Sequence, residues 1–402
     1  MQSIVFTVTN EICYDQRMQR ICSTLAANGY TVTIIGVKRS KNQAIPIPPL
    51  YGKAYEQQLI RCFFGKGPLF YIEFNIKLFV LLCWLSYDIA CAIDLDTVLP
   101  VLTATTIRKK KRVYDAHEFF TEMKEVRTRP LIAAIWRTIE KISLPHFRRG
   151  YTVNQDLSDL FYNRLKIKYE VIRNLPSLAS TSVSADHLNE KKTDVLAEAA
   201  LEKRKYAYTF TSYKLNQLIN NQLKDKFIIY QGAVNHGRGF ETLIPAMKKV
   251  NAPLLIVGAG NFLPETEGLI KQHNLSEKVF IHPPIPPAEL KKLTPLAYMG
   301  ITIFEPEGVN QYYSLANRFF DYMAAGIPQV CVNYPAYSEI GRQYPFALLI
   351  NDIEMDTLST AMNNLLSDTV LYKSLKLVCP EAAKILNWEK ESEQLLAFYR
   401  RL

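Results

Sequence analysis

The sequence predicts an α/β protein of two halves, each a parallel β-sheet wrapped by helices. Apolar runs typical of strands alternate with segments typical of helices, and this alternation occurs twice along the chain. Between the two series lies a polar stretch rich in Ser, Lys and Glu, at residues 177–226. The length of 402 residues and the apolar fraction of 48% are sufficient for two domains with substantial cores.

The first half, residues 1–176, begins with a strand and alternates from there. Its predicted strands are SIVFTVT, YTVTIIGV, DIACAID, KRVYDAH, GYTVN and YEVIRNLP. Its predicted helices are DQRMQRICSTLAANG, VLPVLTATTIRKKK, LIAAIWRTIEKIS and LSDLFYNRLKI. The most apolar segment, residues 74–93, is interrupted by Lys77 and Asp88, and its uninterrupted part is shorter than the ~20 residues that span a membrane. We interpret it as a buried helix that leads into a buried strand.

The second half, residues 227–385, repeats the pattern. Its predicted strands are KFIIYQGA, PLLIVGAG, KVFIHPP, GITIFEP, QVCVN and FALLI, and its first helices are GFETLIPAMKKV and PETEGLIKQHNL. Residues 386–402 predict an amphipathic helix that returns to the first half. The chain thus predicts two Rossmann-like domains, joined by a partly helical connector at residues 177–226.

The net charge of +10 lies entirely on the first half. Residues 1–176 hold 25 Lys and Arg against 15 Asp and Glu, whereas the rest of the chain is balanced. Basic clusters occur at Ile107–Arg112, His146–Arg149 and Arg164–Lys168. This bias indicates an anionic partner, and because no nucleic-acid motif accompanies it, we expect a membrane surface or an acidic acceptor. A solvated basic surface without a partner is the alternative.

The cysteines and the N-terminal segment bear on the cellular compartment. The seven cysteines form no CxxC motif and mostly lie in apolar runs, which is typical of buried, reduced thiols in the cytoplasm. The opening MQSIVFTVTN lacks the basic region and apolar core of a signal peptide. The segment from Lys53 to Lys77 mixes basic and aromatic residues and predicts either a membrane contact or a mobile acceptor loop.

The segment Glu305–Val330 carries the strongest single indication of a binding site. It follows a strand-like apolar run and predicts a helix with Ser314 as its N-cap and Gly326 after its end. Backbone N–H groups at the start of this helix, together with Arg318, would form a site that favours phosphate. Asp321, one turn later, is suited to two neighbouring hydroxyls such as those of a ribose. An ordinary capped surface helix is the alternative interpretation.

Motifs at the ends of the predicted strands, where ligands bind in such sheets, occur in a definite order. They are DQR at residues 15–17, DLD at 94–96, YDAHEFFTE at 114–122, VN at 153–154, QGAVNHGRGFETL at 231–243, VGAG at 257–260 and the Glu305–Val330 segment. This ordered set resembles the retaining glycosyltransferases of the GT-B fold, family GT4, and within it the bacterial enzymes of capsule, exopolysaccharide and lipopolysaccharide synthesis. The resemblance covers nearly the whole chain. It implies two domains that face each other across a cleft, with the C-terminal helix crossing back to the N-terminal domain.

The resemblance implies roles for four catalytic residues. Arg238 and Arg318 match the basic residues that hold the donor diphosphate, and two guanidiniums are well suited to charge on a leaving diphosphate. Asp321 matches the second Glu of the family's EX7E motif, which binds the nucleotide ribose. His117 matches the histidine on the acceptor side, near the reacting sugar carbon; a buried structural imidazole is the alternative for this residue.

Further residues are implied around the donor and the acceptor. Tyr313 stands where the first Glu of the EX7E motif is expected, so Glu305 or Glu307 would contact the donor sugar in its place. The other donor-binding candidates are Gly237, Gly239, Gly258, Ser314, Leu315 and Asn317. The acceptor-side candidates are Asp15, Arg17, Asp96 and Glu118. Asp94-Leu95-Asp96 imitates a metal-binding DxD motif, but GT-B enzymes do not generally need that metal. A capping or acceptor-side role is therefore favoured for this motif, and neither a metal site nor an obligatory cofactor is expected.

The function implied by the resemblance is the retaining transfer of a sugar from a nucleotide-diphospho-sugar, UDP- or GDP-linked, to a glycan or lipid-linked acceptor in surface polysaccharide synthesis. The C-terminal half would bind the donor and the N-terminal half the acceptor. Two alternatives stay open: a non-hydrolysing nucleotide-sugar epimerase, and a non-catalytic GT-B protein that binds a glycan or assists assembly. The expected location is the cytoplasm, with peripheral contact to an anionic membrane through the basic N-terminal domain and no contact with nucleic acid.

Overall fold

The computed structural model describes residues 1–9, 12, 15–38, 53–178, 212–223 and 225–402. The chain divides into two compact units, one formed by Met1–Asn174 with Lys390–Leu402 and the other by Leu175–Glu389. Most of the connector predicted at residues 177–226 lies outside the described residues. Near the C-terminal end of that range, a short α-helix leads into the π-helix Leu218–Gln222.

The first unit is an α/β layer structure with a parallel sheet. Its strands are β1 (Ser3–Thr7), β2 (Thr31–Lys38), β3 (Glu56–Arg61), β4 (Ile89–Ile93), β5 (Lys111–Ala116), β6 (Gly150–Thr152) and β7 (Glu170–Val171). Its helices are α1 (Gln16–Ala27), α2 (Gly67–Trp84), α3 (Val98–Ile107), α4 (Lys124–Arg127), α5 (Pro130–Ser143) and α6 (Gln155–Leu165), with 3₁₀ turns at Leu95–Thr97, Phe120–Glu122 and Leu144–His146. Among the described residues, the strand order is β3-β2-β1-β4-β5-β6-β7.

Strand β3 is not predicted by the sequence. It lies within the segment Lys53–Lys77, which the sequence led us to interpret as a membrane contact or a mobile acceptor loop. In the structure this segment contains an edge strand and the first part of α2. Ile60 is buried in β3 whereas the remaining side chains of that strand are exposed or half-buried, because an edge strand covers little core. Its alternation of apolar residues is therefore too weak to predict a strand.

Helix α2 differs from the buried helix expected at its position. Within the described residues it is the one helix long and apolar enough, by length and composition, to cross a membrane, yet only 22% of it is buried. One side packs into the core through Phe70, Phe74, Leu78 and Leu82. The other side exposes Leu69, Ile72, Ile76, Val80 and Trp84. The strand that follows, β4, is fully buried, as predicted.

The direction of the crossovers determines which face of the sheet each helix covers. The connection from β1 to β2 through α1 moves one way across the sheet, whereas those through α2, α3 and α5 move the other way. Because such crossovers are right-handed, α2, α3 and α5 lie together on the face opposite α1. In agreement with this, α3 contacts both α2 and α5.

The second unit repeats the architecture. Its strands are β8 (Ile228–Gln231), β9 (Leu254–Val257), β10 (Val279–His282), β11 (Met299–Thr302), β12 (Gln329–Val332) and β13 (Ala347–Ile350), parallel and ordered β10-β9-β8-β11-β12-β13 among the described residues. Its helices are α7 (Tyr213–Gln217), α8 (Phe240–Ala246), α9 (Leu263–Gln272), α10 (Pro287–Leu293), α11 (Val309–Tyr312), α12 (Asn317–Ala324), α13 (Pro335–Gln343), α14 (Met355–Ser367) and α15 (Thr369–Ile385), with 3₁₀ turns at Met247–Lys249 and Thr294–Leu296; the helix α16 (Trp388–Arg400) follows. Alternate strand residues enter the cores on the two faces of this sheet, as Ile228 and Ile229 do in β8.

The last helix, α16, returns to the first unit, as predicted. From Lys390 onward its residues belong to that unit. Tyr399 is fully buried there, with its ring 6.2 Å from that of Phe6 and its hydroxyl 3.2 Å from that of Tyr151. The buried Glu391 accepts hydrogen bonds from the backbone N–H of Arg173 and from its guanidinium. The helix therefore completes the core of the N-terminal domain.

Candidate functional site

A glycine-containing loop follows β8 at the carboxyl end of the sheet of the second unit. Gly237 and Gly239 have φ angles of +81° and +73°, which side chains other than glycine rarely adopt. A Cβ at Gly237 would lie 2.9 Å from the side chain of Gln311. The backbone N–H of Glu305 donates to the carbonyl of Gly237 at 3.0 Å, which ties the loop to the segment after β11. The loop thus leaves backbone, rather than bulky side chains, at this end of the sheet.

Gly258 supports the same loop from the neighbouring strand. It directly follows β9, and a Cβ at this position would lie 1.9 Å from the carbonyl oxygen of Gly232. A glycine is therefore required for the end of β9 to approach the loop this closely. The proximity explains its place in the motif, while a direct contact between Gly258 and the donor stays a prediction.

The two arginines predicted to bind phosphate meet at one aromatic ring. The guanidinium carbon of Arg238 lies 4.6 Å from the centre of the Phe304 ring, and that of Arg318 lies 4.8 Å from the same centre. Arg318 also lies 4.5 Å from the centre of the Tyr230 ring. Such contacts contribute about 0.5–2 kcal/mol each, more when water is excluded. The strand ends of β8 and β11 therefore bring two positive charges together.

The hydrogen bonds of Arg318 use only part of its capacity. Nη1 donates to the hydroxyl of Tyr230 at 3.2 Å, and Nη2 donates to the carbonyl of Ile303 at 3.3 Å. Its Nε is buried and has no hydrogen-bond partner among the described residues. An unsatisfied buried donor costs about 1–3 kcal/mol, so an anionic ligand oxygen that accepted this bond would recover that energy.

The helix that carries Arg318 begins later than the sequence predicts. We expected Ser314 as its N-cap, but α12 starts at Asn317 after Ala316, which provides no side-chain cap. Ser314 instead donates to the carbonyl of Gln311 at 2.8 Å, at the end of α11. The hydroxyl of Tyr337 accepts the backbone N–H of Ala316 at 2.9 Å. The cap prediction is therefore wrong, because a tyrosine from α13 takes the place of a local cap.

The other predictions for this segment have mixed outcomes. Gly326, with a φ of +70°, follows the end of α12, as predicted. Leu315 lies outside the helix and packs against the core. Asn317 is the first helical residue and is exposed. Roles for Ser314, Leu315 and Asn317 in donor binding stay predictions.

Asp321 is held in place by residues that the sequence did not single out. Gln231, the last residue of β8, donates from Nε2 to a carboxylate oxygen of Asp321 at 3.2 Å. The Oε1 of Gln231 accepts from the hydroxyl of Thr294 at 2.8 Å, which fixes the orientation of the amide. Gln231 is buried whereas Asp321 is half-buried. Asp321 is thus oriented from β8 while part of its surface stays accessible.

The segment between β11 and α12 contains the candidates for contact with a sugar. Glu305 is half-buried and directly follows Phe304, whereas Glu307 is exposed. Tyr313, at the position of the expected Glu, is half-buried, and its ring centre lies 5.1 Å from that of Tyr312. Of the two acidic residues, Glu305 is the nearer in sequence to Phe304, whose ring both arginines contact.

In the first unit, His117 belongs to a cluster of charged residues at the carboxyl ends of β4 and β5. Its Nε2 lies 3.2 Å from Oδ2 of Asp115, and its Nδ1 lies 3.7 Å from Oδ2 of Asp94. The backbone N–H of His117 also donates to Oδ1 of Asp94 at 2.9 Å. Burial alone lowers the pKa of His117, but the negative charges of Asp115 and Asp94 outweigh this effect and raise the pKa to about 9. At neutral pH the imidazole is therefore protonated.

Arg17 has a different role from the one predicted. We expected it to face the acceptor, but it is buried, and its guanidinium donates to both oxygens of Asp115, at 2.8 and 3.2 Å. Its remaining Nη donates to the carbonyl of Ile172 at 2.9 Å. Burial raises the pKa of Asp115, but the charges of Arg17 and His117 outweigh it, so the pKa is lowered and Asp115 stays ionised. Arg17 therefore positions Asp115, which in turn positions His117.

Asp94 and Asp96 form the opposite side of the cluster. Asp94 has a φ of +51° and a ψ of −177°, a conformation that costs non-glycine residues about 1–3 kcal/mol and often marks functional sites. Burial raises the pKa of the Asp94 carboxyl, and the charge of His117 opposes that rise. Burial also raises the pKa of Asp96 to about 6, although a hydrogen bond from Thr9 lowers it in part.

The remaining acceptor-side candidates are less constrained. Asp15 caps α1 by accepting the backbone N–H of Met18 at 3.0 Å, and Glu118 is half-buried next to His117. Contacts of Asp15, Asp96 and Glu118 with an acceptor stay predictions. In the part of the chain that the structure describes, no group of three His, Cys, Asp or Glu residues is arranged to hold a metal ion.

Three residues of these sites were not among the candidates from the sequence: Asp115, Gln231 and Phe304. Each lies at or within two residues of the carboxyl end of a strand, and Asp115 and Gln231 also lie within the ordered motifs. Their side chains act on the predicted residues rather than replacing them. Position at a strand end was therefore the available signal.

Comparison with known proteins agrees with this geometry. Residues 214–378, which include Arg238, Arg318 and Asp321, match the family described as Glycosyl transferases group 1. No curated protein matches the sequence significantly.

Solved structures match the chain along its length. HepE from Anabaena, in complex with UDP and glucose, is 13% identical with a TM-score of 0.72 and covers 100% of both chains. Sucrose-phosphate synthase from Thermosynechococcus elongatus is 18% identical with a TM-score of 0.68 and covers 100% of this chain and 99% of its own. WaaG, a glycosyltransferase involved in lipopolysaccharide biosynthesis, is 13% identical with a TM-score of 0.62 and covers 98% of both chains. The predicted fold class is confirmed: the chain has the GT-B fold, built from two Rossmann-like domains, and its residues 214–378 match a glycosyltransferase family.

Proposed function

We propose that the protein transfers a sugar, with retention of configuration, from a nucleotide-diphospho-sugar to a glycan or lipid-linked acceptor in surface polysaccharide synthesis. The observation that carries the proposal is the pair of guanidiniums, Arg238 and Arg318, at the ring of Phe304 beside the glycine-containing loop. Two arginines next to a glycine-containing loop are suited to hold a diphosphate. In a transferase the diphosphate is the leaving group, so these charges stabilise it most as the bond to the sugar breaks.

The donor is proposed to lie along the carboxyl ends of β8 and β11. Its diphosphate contacts Arg238, Arg318 and the first N–H groups of α12, and its ribose hydroxyls contact Asp321. The structure of HepE with UDP-glucose supports UDP as the nucleotide, with GDP as the other candidate. Glu305 is proposed to contact the sugar hydroxyls in place of the glutamate that Tyr313 replaces.

The acceptor is proposed to bind at the cluster of His117. Because the pKa of His117 is raised to about 9, its imidazolium donates hydrogen bonds and does not act as a general base at neutral pH. The hydroxyl of the acceptor then forms its bond to the anomeric carbon on the face from which the diphosphate departs. Its proton passes to an oxygen of the leaving diphosphate, so the step needs no carboxylate nucleophile.

The proposed location is the cytoplasm, where nucleotide sugars are available. The described cysteines support it in part, because Cys22, Cys62, Cys91, Cys331 and Cys379 are buried free thiols and Cys83 is a half-buried one. Disulfides would be expected to form in an oxidising compartment between cysteines placed to pair.

The first experiment identifies the donor. The melting temperature is measured with UDP-, GDP-, ADP- and CMP-sugars, since a ligand that binds the native state alone raises it. Transfer is then assayed with the donor that binds, and the anomeric configuration of the product is read by NMR. Incubation with the donor alone is expected to give no epimer. An inverted product, or epimer formed without acceptor, would show that the proposed reaction is wrong.

The second experiment tests the site. Arg238→Ala and Arg318→Ala are each expected to reduce transfer at least about 100-fold, the scale of losing one stabilising group in a transition state. Arg342→Ala is the matched control, because Arg342 is an exposed arginine on α13 in the same unit. Since Arg318 is buried, its variant is compared with Arg318→Lys, which keeps the charge but loses the forked geometry. Full activity of both Arg→Ala variants would refute the donor site.

A further inference from the structure

Helix α2 exposes an apolar stripe along its whole length. Leu69, Ile72, Ile76, Val80 and Trp84 recur at intervals of three or four residues and are between 49% and 85% exposed. At this spacing they share one side of the helix. The opposite side is the core stripe of Phe70, Phe74, Leu78 and Leu82. An exposed apolar surface this long marks an interaction site more often than an ordinary surface.

Helix α5 adds a second stripe on the same face of the sheet. Leu131, Ile135 and Ile142 are exposed and share one side of α5. The two helices are tied together by Tyr71 on α2 and Trp136 on α5, whose ring centres lie 5.6 Å apart. We call the two stripes, Leu69 to Trp84 on α2 and Leu131 to Ile142 on α5, the α2–α5 face.

The loop before α2 extends this surface with two phenylalanines. Phe63 is 84% exposed and Phe64 is also exposed, with ring centres 5.4 Å apart. Their backbone N–H groups donate to the carboxylate of Glu73 on α2, at 2.9 and 3.0 Å, and Lys77 donates to the same carboxylate at 2.6 Å. The hydrogen bonds from Lys77 and the two backbone groups lower the pKa of Glu73 to about 2. The charge of Glu73, the only acidic side chain of α2, is thus balanced by Lys77. The same carboxylate fixes the backbone of the two exposed phenylalanines.

The surroundings of the α2–α5 face are strongly basic. Residues 124–149 hold seven Lys and Arg against two acidic residues, and one of the latter, Glu140, is buried. Arg127, Arg129, Arg137 and Lys141 are exposed on α4, on α5 or between them. Arg61 and Lys66 are exposed beside the phenylalanine loop. Apolar stripes flanked by lysine and arginine are typical of surfaces that lie in the interface of an anionic bilayer.

We propose that the α2–α5 face docks on the surface of an anionic lipid bilayer, with α2 in the membrane plane. The buried stripe of α2 belongs to the core, so the helix lies on the membrane and does not cross it. A second copy of the chain fits less well, because a symmetric contact would place the same basic residues against each other. The inference is independent of the proposed reaction, since lipid binding requires neither donor nor acceptor.

Vesicle flotation tests the proposal with the full chain. Vesicles of phosphatidylcholine alone are compared with vesicles that also contain phosphatidylglycerol, and added salt should weaken binding to the latter. We expect Ile72→Glu/Ile76→Glu to reduce binding at least about tenfold, because it places two charges in the acyl boundary. Arg137→Gln/Lys141→Gln should reduce binding to the anionic vesicles about fivefold per residue removed and leave neutral vesicles unaffected.

The control applies the same chemical change elsewhere. Val370 and Leu377 are exposed on α15 in the second unit, so Val370→Glu/Leu377→Glu should bind lipid as the unchanged protein does. Melting temperatures of all variants verify that they fold. In a Trp136→Phe/Trp388→Phe protein, Trp84 is the remaining tryptophan, and its emission should shift to the blue on anionic vesicles.

The outcomes distinguish a lipid bilayer from a second copy of the chain as the partner of the α2–α5 face. Loss of lipid binding in the α2 variant but not in the control, with the blue shift of Trp84, supports the bilayer. Equal binding by the α2 variant and the control overturns the proposal. A dimer seen by sedimentation without lipid, and dispersed by Ile72→Glu/Ile76→Glu, also overturns it and identifies the face as a contact between copies.

Discussion

Replacing Asp94 by asparagine should lower the pKa of His117 without disturbing the backbone around it. The asparagine oxygen can still accept the backbone N–H of His117, which the Asp94 carboxylate accepts at 2.9 Å. Asparagine also has the same size and shape as aspartate, so the change should add little strain to the backbone at Asp94, which has a φ of +51° and a ψ of −177°. The change therefore removes the carboxyl group that, when ionised, places a negative charge 3.7 Å from Nδ1 of His117, and little else.

The size of the effect follows from the two carboxylates that face the imidazole. Together they raise the pKa of His117 from 6.5 to about 9 against the opposing effect of burial. A charge of opposite sign within ~4–6 Å typically shifts a pKa by about 1–3 units. Asp115 is nearer, at 3.2 Å, and shares a hydrogen bond, so Asp94 contributes the smaller part. We expect the pKa of His117 to fall by roughly one unit in the Asp94→Asn protein.

Proton NMR of the imidazole C–H groups measures this pKa directly. The chain has six histidines, and the resonance of His117 is the one missing from a His117→Gln protein. Asp356→Asn is the control, because Asp356 is an exposed carboxylate in the second unit. If the imidazolium is the form that binds the acceptor, the alkaline limb of kcat/KM should move down by the same amount. A His117 pKa near 6.5 in the unchanged protein, or equal values in both Asp→Asn variants, would refute the reasoning.

Three further predictions test the support of the two sites. Arg17→Met should lower the free energy of unfolding of the first unit by about 3–5 kcal/mol, because it leaves the buried Asp115 with one partner fewer. The control Arg401→Met, at the exposed pair with Glu170, should lower it by less than about 1 kcal/mol. Equal losses in urea unfolding would contradict this prediction. Gly258→Ala should lower the free energy of unfolding by at least about 2 kcal/mol and weaken donor binding in calorimetry, because its Cβ would meet the carbonyl of Gly232. The control Gly268→Ala, in α9, places a Cβ with no atom within 4 Å and should be neutral or stabilising. The raised pKa of His117 should contribute about 3 kcal/mol to the free energy of unfolding, fully present below pH 6.5 and lost as the pH rises through about 9. A His117→Gln protein whose unfolding has the same pH dependence would contradict this prediction.

The candidate donor site could be predicted from the sequence because its residues lie near strand ends. Arg238 lies in the loop that follows β8, and Arg318 lies in the first turn of α12, the second helix after β11. Parallel strands bring their carboxyl ends to one edge of the sheet. The resemblance to the GT4 family predicted that the two arginines bind one diphosphate, and the alternation of strands and helices is consistent with their lying at one edge of the sheet. The ring of Phe304 between them was not predicted, since an aromatic residue at a strand end is most often simply part of the core.

The errors share a physical cause, which is a partner distant in sequence. Ser314 has the local features of an N-cap, yet the hydroxyl of Tyr337 takes the backbone N–H instead. Arg17 has the features of an exposed charge, but Asp115, 98 residues away, neutralises it in the core. Helix α2 is apolar all around, so its sequence does not reveal which side faces water. The local sequence pattern predicts the helices and strands, whereas contacts between residues distant in sequence determine whether a side chain caps a helix, pairs in the core or faces solvent.

The protonation of the His117 cluster bears on where the acceptor proton goes. Asp115 is a weak base, because the charges of Arg17 and His117 hold its pKa below the usual range. Asp94 and His117 are coupled: burial raises the pKa of the Asp94 carboxyl to about 8, and the neighbouring carboxylates raise the pKa of His117 to about 9, so both groups favour the protonated form at neutral pH. A residue that already holds a proton cannot remove one from the acceptor hydroxyl. In the proposed reaction the leaving diphosphate, which gains negative charge as the bond to the sugar breaks, is then the stronger candidate for the base, and proton transfer to it is consistent with the proposed retention of configuration.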